Sequence, residues 1–349
     1  MDTAAPPTAP RSQVPRKGRY YVHHAGELRF ALHDDVSPEA LTSLHRKHAA
    51  LHFAVLAWQL LLTAGATFVL VRFDDPLIWI PAAFVQGFTV FNYTVMLHEV
   101  VHSAVFAKQR PKWMRALSLL YAIPSGISAT QFTRWHLDHH NELGSATDDP
   151  KRFHLSPKKN ARWLKALYFT PALFPIYFRA AARENATYPE EMRRTIRRER
   201  WAAMGFHLSI LIGLLLIDPA MALRVEVVPV FLVFPIAFAL NRLGQHYDVD
   251  PSDPAKWSTL VRANLFWRIA FLNSSYHLEH HYYPGVPLYR LYGLHRLLQP
   301  FFRHRGMEGR GYAQLLWGWL VLNRKPHSNW RAASGPVTAS LAAASGTSE

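Results

Sequence analysis

LHFAVLAWQLLLTAGATFVLV, residues 51–71, holds no Asp, Glu, Lys or Arg, and the run from Pro76 to Leu97 holds none either. Each run is about 20 residues, which at roughly 1.5 Å per residue spans the ~30 Å hydrocarbon core of a bilayer. Together they read as a helical hairpin closed by the turn Arg72, Phe73, Asp74 and Asp75. A second hairpin is expected from Trp201 to Ile217, a break at Asp218 and Pro219, then Val227 to Leu240 continuing through Asn241. Its last run is short and must borrow flanking residues or be shielded by neighbouring helices. Two other apolar stretches, Ala116 to Phe132 and Ala166 to Phe178, are interrupted by Pro124, Gly126, Pro171 and Pro175. They suit interfacial or re-entrant segments better than full spans. The expected fold is therefore an all-α, polytopic membrane protein with four transmembrane helices in two hairpins, interfacial helices and a cytosolic His-rich cap. A soluble helical protein is the competing reading, but buried core helices seldom run so far without a charge.

The 349 residues carry Lys+Arg 39 against Asp+Glu 24, a formal charge of +15, with 20 His and no Cys. Without Cys there is no disulfide framework, thiolate nucleophile or Cys-ligated metal. The excess charge fits a nucleic acid, a membrane surface or an acidic partner until its location is read. The two tight turns carry only Arg72 and Arg224, beside Asp74, Asp75, Asp218 and Glu226. The segments between the hairpins carry Lys108, Arg110, Lys112, Arg115, Lys151, Arg152, Lys158, Lys159 and the run from Arg193 to Arg200. Because Lys and Arg concentrate on the cytoplasmic side, this asymmetry puts both termini and the histidine-bearing segments inside and leaves no need for a nucleic-acid partner. Residues 1–18 form a basic Pro/Ala-rich tail without a cleavable signal peptide, residues 19–325 a membrane domain, and residues 326–349 an Ala/Ser-rich tail, both tails expected to be disordered.

Nine of the twenty His form a pattern. His98 and His102 lie at the inner end of the second span; His136, His139 and His140 follow; His277, His280 and His281 come last, with His246 just past the fourth span. On a helix, i and i+4, or i, i+3 and i+4, share one face, so each box aims its imidazoles at a common point. Composition alone gives roughly 0.07 expected HxxHH matches in such a chain, and there are two. Eight or nine imidazoles exceed one tetrahedral zinc, and imidazole also suits iron, copper and nickel, so two metals a few ångströms apart are the economical reading. His98-Glu99-Val100-Val101-His102 also matches HExxH, the helix-borne site of zinc proteases, but that reading leaves both HxxHH boxes without a role.

Boxes of the form HxxxH, HxxHH and HxxHH across two transmembrane hairpins resemble the membrane fatty acid desaturase and hydroxylase superfamily, over roughly Leu51 to Leu298. The stretch Asn273-Ser-Ser-Tyr-His277-Leu-Glu-His280-His281-Tyr-Tyr-Pro284-Gly-Val-Pro287, followed by Leu294-His295, is most similar to bacterial and front-end-type acyl desaturases. The resemblance implies two iron ions bound by the eight box histidines at the cytosolic ends of the helices. It further implies an additional ligand at His246, and Asn241 close to the metals through a water. His154, His207 and His295 match no box and read as structural. Three residues separate His98 from His102 where the stearoyl-type enzymes have four, so that subgroup's substrate is not implied. The His-Pro-Gly-Gly haem-loop pattern is absent, so the resemblance implies electrons from a separate donor such as a ferredoxin with its reductase.

An unactivated methylene C–H bond is too strong for an acid or base side chain, so the chemistry calls for metals and O2, with the protein supplying ligands, orientation and a dry site. Loss of two vicinal hydrogens gives an alkene and addition of oxygen an alcohol, from one ligand set. A fatty acyl desaturase is the expected activity. A carotenoid or lipid hydroxylase or ketolase is the alternative within the superfamily, and a zinc protease or a metal-holding lipid sensor the alternatives outside it. Glu99, Asp138 and Glu279 are placed to accept the far ring N–H of a ligand His, or else pair with nearby Arg such as Arg134. Asp148 and Asp149 read as a turn or cap before Pro150. The Arg193 to Arg200 run reads first as a topology signal and second as a docking site for an acidic donor or anionic headgroups.

Overall fold

The computed structural model describes residues 18–325, Lys158 and Asp248 excepted. The two expected tails therefore lie outside the described residues, Gly18 apart. In chain order, α1 (Ala49–Arg72) and α2 (Pro76–Val101) form the first hairpin, and α3 (Pro111–Ala122), α4 (Ala129–Asn141), α5 (Pro150–Leu155) and α6 (Leu173–Asn185) follow. The second hairpin is α7 (Glu190–Ile217) with α8 (Pro219–Leu243), and beyond it come α9 (Leu265–Ala270) and α10 (His277–Tyr282). Among the described residues no strand forms, and an isolated bridge joins Val261 to Arg310. Helices α1, α2, α7 and α8 are each long and apolar enough to cross a bilayer, which makes this an all-α integral membrane protein.

The first hairpin follows its sequence expectation closely. Asp75 caps α2 by accepting from the Leu77 N–H at 2.9 Å, and Pro76 fills the first helical position, where a missing N–H costs nothing. Between the two helices a polar seam runs beside apolar contacts such as Leu70 with Ala82 and Ala83. Asn92 donates to Gln59 at 3.2 Å, Thr63 and Tyr93 share a hydrogen bond of 3.1 Å, and Gln86 donates to Thr67 at 3.3 Å. In lipid such bonds hold helices together where burial of apolar surface gives no advantage.

The second hairpin differs from expectation at both ends. Its turn is Asp218 alone, which caps the Ala220 and Met221 N–H groups, and α8 starts at Pro219 rather than near Val227. Arg224 and Glu226, expected in the turn, are buried on the helix because each has a partner. Arg224 reaches Asp74 at 2.6 Å and the Leu70 carbonyl at 3.1 Å, and Glu226 meets His207 at 2.6 Å. Between Leu223 and Val233 α8 widens into π-helical turns around Pro229, whose ring cannot complete a regular ladder. Here α2 approaches so closely that a Cβ on Gly87 would lie 2.5 Å from Val233. Helix α7 begins at Glu190, so the Arg193–Arg200 run extends a membrane helix instead of forming a loop. The stretch Ala116 to Phe132 is broken as expected: α3 stops at Ala122, Gly126 turns the chain at φ +69, and α4 starts at Ala129.

Candidate metal centre

All nine predicted histidines gather at one end of the four-helix bundle. His98 sits in the last turn of α2 and His102 caps it, with ring centroids 4.7 Å apart, as i and i+4 spacing requires. Helix α4 supplies His136, His139 and His140, and α10 supplies His277, His280 and His281. His246 follows α8 in a turn strapped by Thr259, which accepts from the Tyr247 N–H at 2.8 Å and whose own N–H donates to the Gln245 carbonyl at 2.8 Å.

These side chains divide into two adjoining groups, His98, His102, His136, His140 and His280 in one and His139, His246, His277 and His281 in the other. Within each group one nitrogen from every ring lies within 4.8 Å of the others. His102 and His136 approach at 2.7 Å between Nε2 atoms, and His280 and His140 at 3.1 Å. His139 with His246, His277 with His246, and His281 with His277 stand at 3.0, 3.1 and 3.1 Å. Ligands about 2.1 Å from a six-coordinate ion would set neighbouring nitrogens roughly 3.0 Å apart, so both groups have the dimensions of a metal shell. The groups touch where the His140 and His281 rings lie 4.4 Å apart.

The protonation states fit the same use. Burial pushes the ring of His102 down to about 3 and, against the opposing Asp149 carboxylate, that of His139 to about 4; it holds His136, His140, His277, His280 and His281 well below the ordinary 6.5, with nearby cations and rings adding to the effect. Neutral imidazoles carry a ring lone pair each, and His98 Nε2 is buried in its group with no hydrogen-bond partner. A cation held by each group would meet these lone pairs, that of His98 included.

The acidic residues divide between the histidines and other partners, Asp138 taking the Arg134 alternative. Asp149 accepts from His139 Nδ1 at 2.7 Å, which fixes the tautomer and turns the Nε2 lone pair toward its group. Burial alone would raise the Asp149 carboxyl, but His139, Arg152 and Arg242 together hold it below its ordinary value. Asp149 also caps α5, the role expected of it. Glu99, Asp138 and Glu279 bond elsewhere: Glu99 to the Leu288 N–H at 3.0 Å, Asp138 to Arg134 at 2.7 Å, Glu279 to His295. Each is adjacent in sequence to a box histidine, and one residue of helix rotates a side chain by roughly 100°, away from the face its neighbour uses. Asn241, expected to reach the metals through water, lies in the cavity wall and donates to Ser274 at 2.8 Å. His154, His207 and His295, read from the sequence as structural, each meet a carboxylate: His154 with Glu184, His207 with Glu226 and His295 with Glu279.

Two further residues were not visible in the sequence. Lys151 places Nζ 2.7 Å from His136 Nδ1, and burial, with Arg242 beside it, pushes its pKa down to about 7. Glu199 of α7 grips the start of α4, accepting from Ser128 Oγ at 2.5 Å, the Thr130 N–H at 2.8 Å and Thr130 Oγ1 at 2.7 Å while pairing with Arg115. Helical spacing could not have found either, since Lys151 reaches His136 from the next helix, 15 residues on, and Glu199 reaches Ser128 from 71 residues away. An apolar cavity walled by Phe91, Val95, Phe132, Trp135 and Phe238 ends on His98, His277 and His280. It shares Phe132, Tyr177 and Phe238 with a second apolar cavity that runs to Phe174 and Phe178.

Comparison with known proteins agrees with this architecture. The sequence pattern described as "Fatty acid desaturase" matches residues 74–312. The human "Sphingolipid delta(4)-desaturase/C4-monooxygenase DES2" is 24% identical over 242 residues, 66% of this chain and 68% of that protein. The rat protein of the same name is 24% identical over 244 residues, again 66% and 68% of the two chains. The "Sphingolipid delta(4)-desaturase DES1" of Gallus gallus is 33% identical over 95 residues, 26% and 29%. Since the family match covers well over half of the sequence, this oxidoreductase belongs to the fatty acid desaturase family.

Proposed function

We propose that the protein is a di-iron, O2-dependent desaturase that introduces a double bond into the acyl chain of a membrane lipid or acyl carrier, fed with electrons by a separate donor such as a ferredoxin with its reductase. The observation that carries this reading is the division of nine buried histidines into two adjoining groups, against which an apolar cavity ends. Five and four neutral nitrogens suit two iron ions and leave room for a small ligand, whereas a single tetrahedral zinc would use less than half of them. A zinc protease built on His98 and His102 is disfavoured further because Glu99, its would-be general base, is bonded to the Leu288 N–H.

Two irons held by these histidines would supply the oxidising power, drawn from O2 and electrons, that an unactivated C–H bond demands. The chain's own contribution is positional. Asp149 keeps His139 in one tautomer, Glu199 anchors the helix bearing His136, His139 and His140, and Phe91, Phe132 and Phe238 exclude water and lay a hydrocarbon chain against His98, His277 and His280. Hydroxylation is the second reading, favoured by the relatives whose printed name joins desaturase to C4-monooxygenase.

Metal and lipid analysis of the purified protein and its expression host tests both readings. About two irons per chain, lost when His139 or His280 becomes Ala, together with new acyl double bonds, is the expected result. Hydroxylated lipids in place of new double bonds would select the second reading. One zinc per chain with peptidase activity would reject both.

A further inference from the structure

The geometry points to α9, outside all four predicted spans, as a bilayer contact: the segment that delivers the third histidine box dips into the hydrocarbon alongside α2. Phe271, directly after α9, packs on Phe88 at 5.5 Å and Phe91 at 5.9 Å between ring centroids, and Trp267 stacks on Phe271 at 5.5 Å. Phe88 lies near the middle of α2, ten residues from His98, or about 15 Å along the axis at 1.5 Å per residue. A segment packed there lies well below the level of the histidines, at a depth where α2 itself is in lipid.

Its exposed face matches that depth, while the charge within α9, Arg268, lies over the Tyr292 ring and donates to Asn273 Oδ1 at 3.3 Å. Leu265, Phe266 and Ile269 are 64%, 63% and 54% exposed, an apolar face that no described part of the chain covers. Exposed Arg262 stands at the entry, where a headgroup would meet it. Non-helical backbone at membrane depth persists only if its polar groups are satisfied within the protein. The exit from α9 meets that condition. Leu272 and Asn273 turn left-handed at φ 49 and 60, with N–H groups donating to the Ile269 and Arg268 carbonyls at 3.2 and 2.8 Å. The Ser274 N–H donates to the Phe271 carbonyl at 2.8 Å, and Asn273 Nδ2 donates to the Leu288 carbonyl at 3.2 Å. From this turn the chain climbs through Ser274, in the wall of the apolar cavity, to His277. Contact of α9 with lipid therefore holds the third box at a fixed height above the bilayer, whichever metal that box binds.

The absence of Cys makes the test direct, since one introduced Cys gives one labelled site. Phe266→Cys and Ile269→Cys would each be spin-labelled in the full-length protein in phosphatidylcholine proteoliposomes. Leu61→Cys, 67% exposed on α1, serves as the lipid reference, and Phe30→Cys, 77% exposed before α1, as the aqueous one. The expected result is a ratio of oxygen to nickel-chelate collision rates at 266 and 269 that matches position 61 and exceeds position 30 severalfold. A ratio like that of position 30 would overturn the inference. So would labels at 266 and 269 shielded from both reagents, which would mean that a second copy covers the face instead of lipid.

Discussion

Asp149 accepts from Nδ1 of His139 across 2.7 Å, both side chains being buried, and the same carboxylate caps α5 through the N–H groups of Lys151 and Arg152. One acid thus orients a histidine of the four-membered group and fixes the helix that carries Lys151 against His136 of the other. Asp149→Asn can keep a weaker cap but loses the charge that supports the His139 N–H. The expected outcome is a 10- to 100-fold loss of metal affinity with the fold retained. Iron content measured against a chelator series, beside circular dichroism of the same sample, checks it.

Glu199 makes the corresponding prediction for α4. Its carboxylate holds Ser128 and Thr130, so Glu199→Gln removes charge-assisted bonds while keeping the side chain's shape. Such bonds contribute roughly 1.5–3 kcal/mol each, and the loss should appear as a lower midpoint of thermal unfolding in detergent. Iron content should fall as well, because His136, His139 and His140 ride on the helix so released. An unchanged midpoint would show that α4 is held mainly by its packing.

How far the site could be read in advance depended on the range of each interaction. His98 with His102, and the two HxxHH boxes, are local: helical periodicity of three to four residues puts their rings on one face before any tertiary contact forms. Their partition into two groups is not local, since His139 parts from His136 and His140 to join His246. His246 stands alone in sequence and was found through resemblance. Asp149 was visible as a cap but not as a partner of His139, because the chain leaves α4 and turns back between them. The apolar spans were equally plain, whereas the start of α7 at Glu190 and of α8 at Pro219 was hidden by charge. Arg224 and Glu226 look like turn residues until Asp74 and His207 are seen beside them.

Low ring pKa values link the site to pH. His102 and His139 have folded values of about 3 and about 4 against an ordinary 6.5 that holds once the chain unfolds. Between these limits the unfolded chain binds protons that the folded chain refuses, so stability rises with pH there. Their contribution is present in full above about 6.5 and is lost as the pH falls from there through the folded values. Metal binding follows the same direction, because protonated imidazole is no ligand. The metal-free protein in detergent should therefore show a thermal midpoint that is level above pH 7 and declines from pH 6.5 to 4. Added iron should raise the midpoint at pH 7 and progressively less toward pH 5. A flat midpoint from pH 7 to 4 would mean that the rings are solvated and the site is loosely packed.

Gly144 gives a prediction about the loop that carries Asp149. Its φ of +96 lies in the region that side chains disfavour, and a Cβ there would stand 2.5 Å from the ring of Trp257. Its carbonyl accepts from Arg152 at 3.0 Å, which ties the loop to α5. In Gly144→Ala the strain and the collision act together, and displacing the indole would also disturb its contact with Tyr20, 5.7 Å away between centroids. Overpacking and a strained backbone each cost about 1–3 kcal/mol, so a drop in the thermal midpoint larger than that of Gly65→Ala, at a position on α1 where a Cβ meets nothing within 4 Å, is the expected outcome. Equal midpoints for the two variants would show that the Trp257 ring moves aside freely and that the loop bearing Asp149 tolerates an ordinary side chain at this turn.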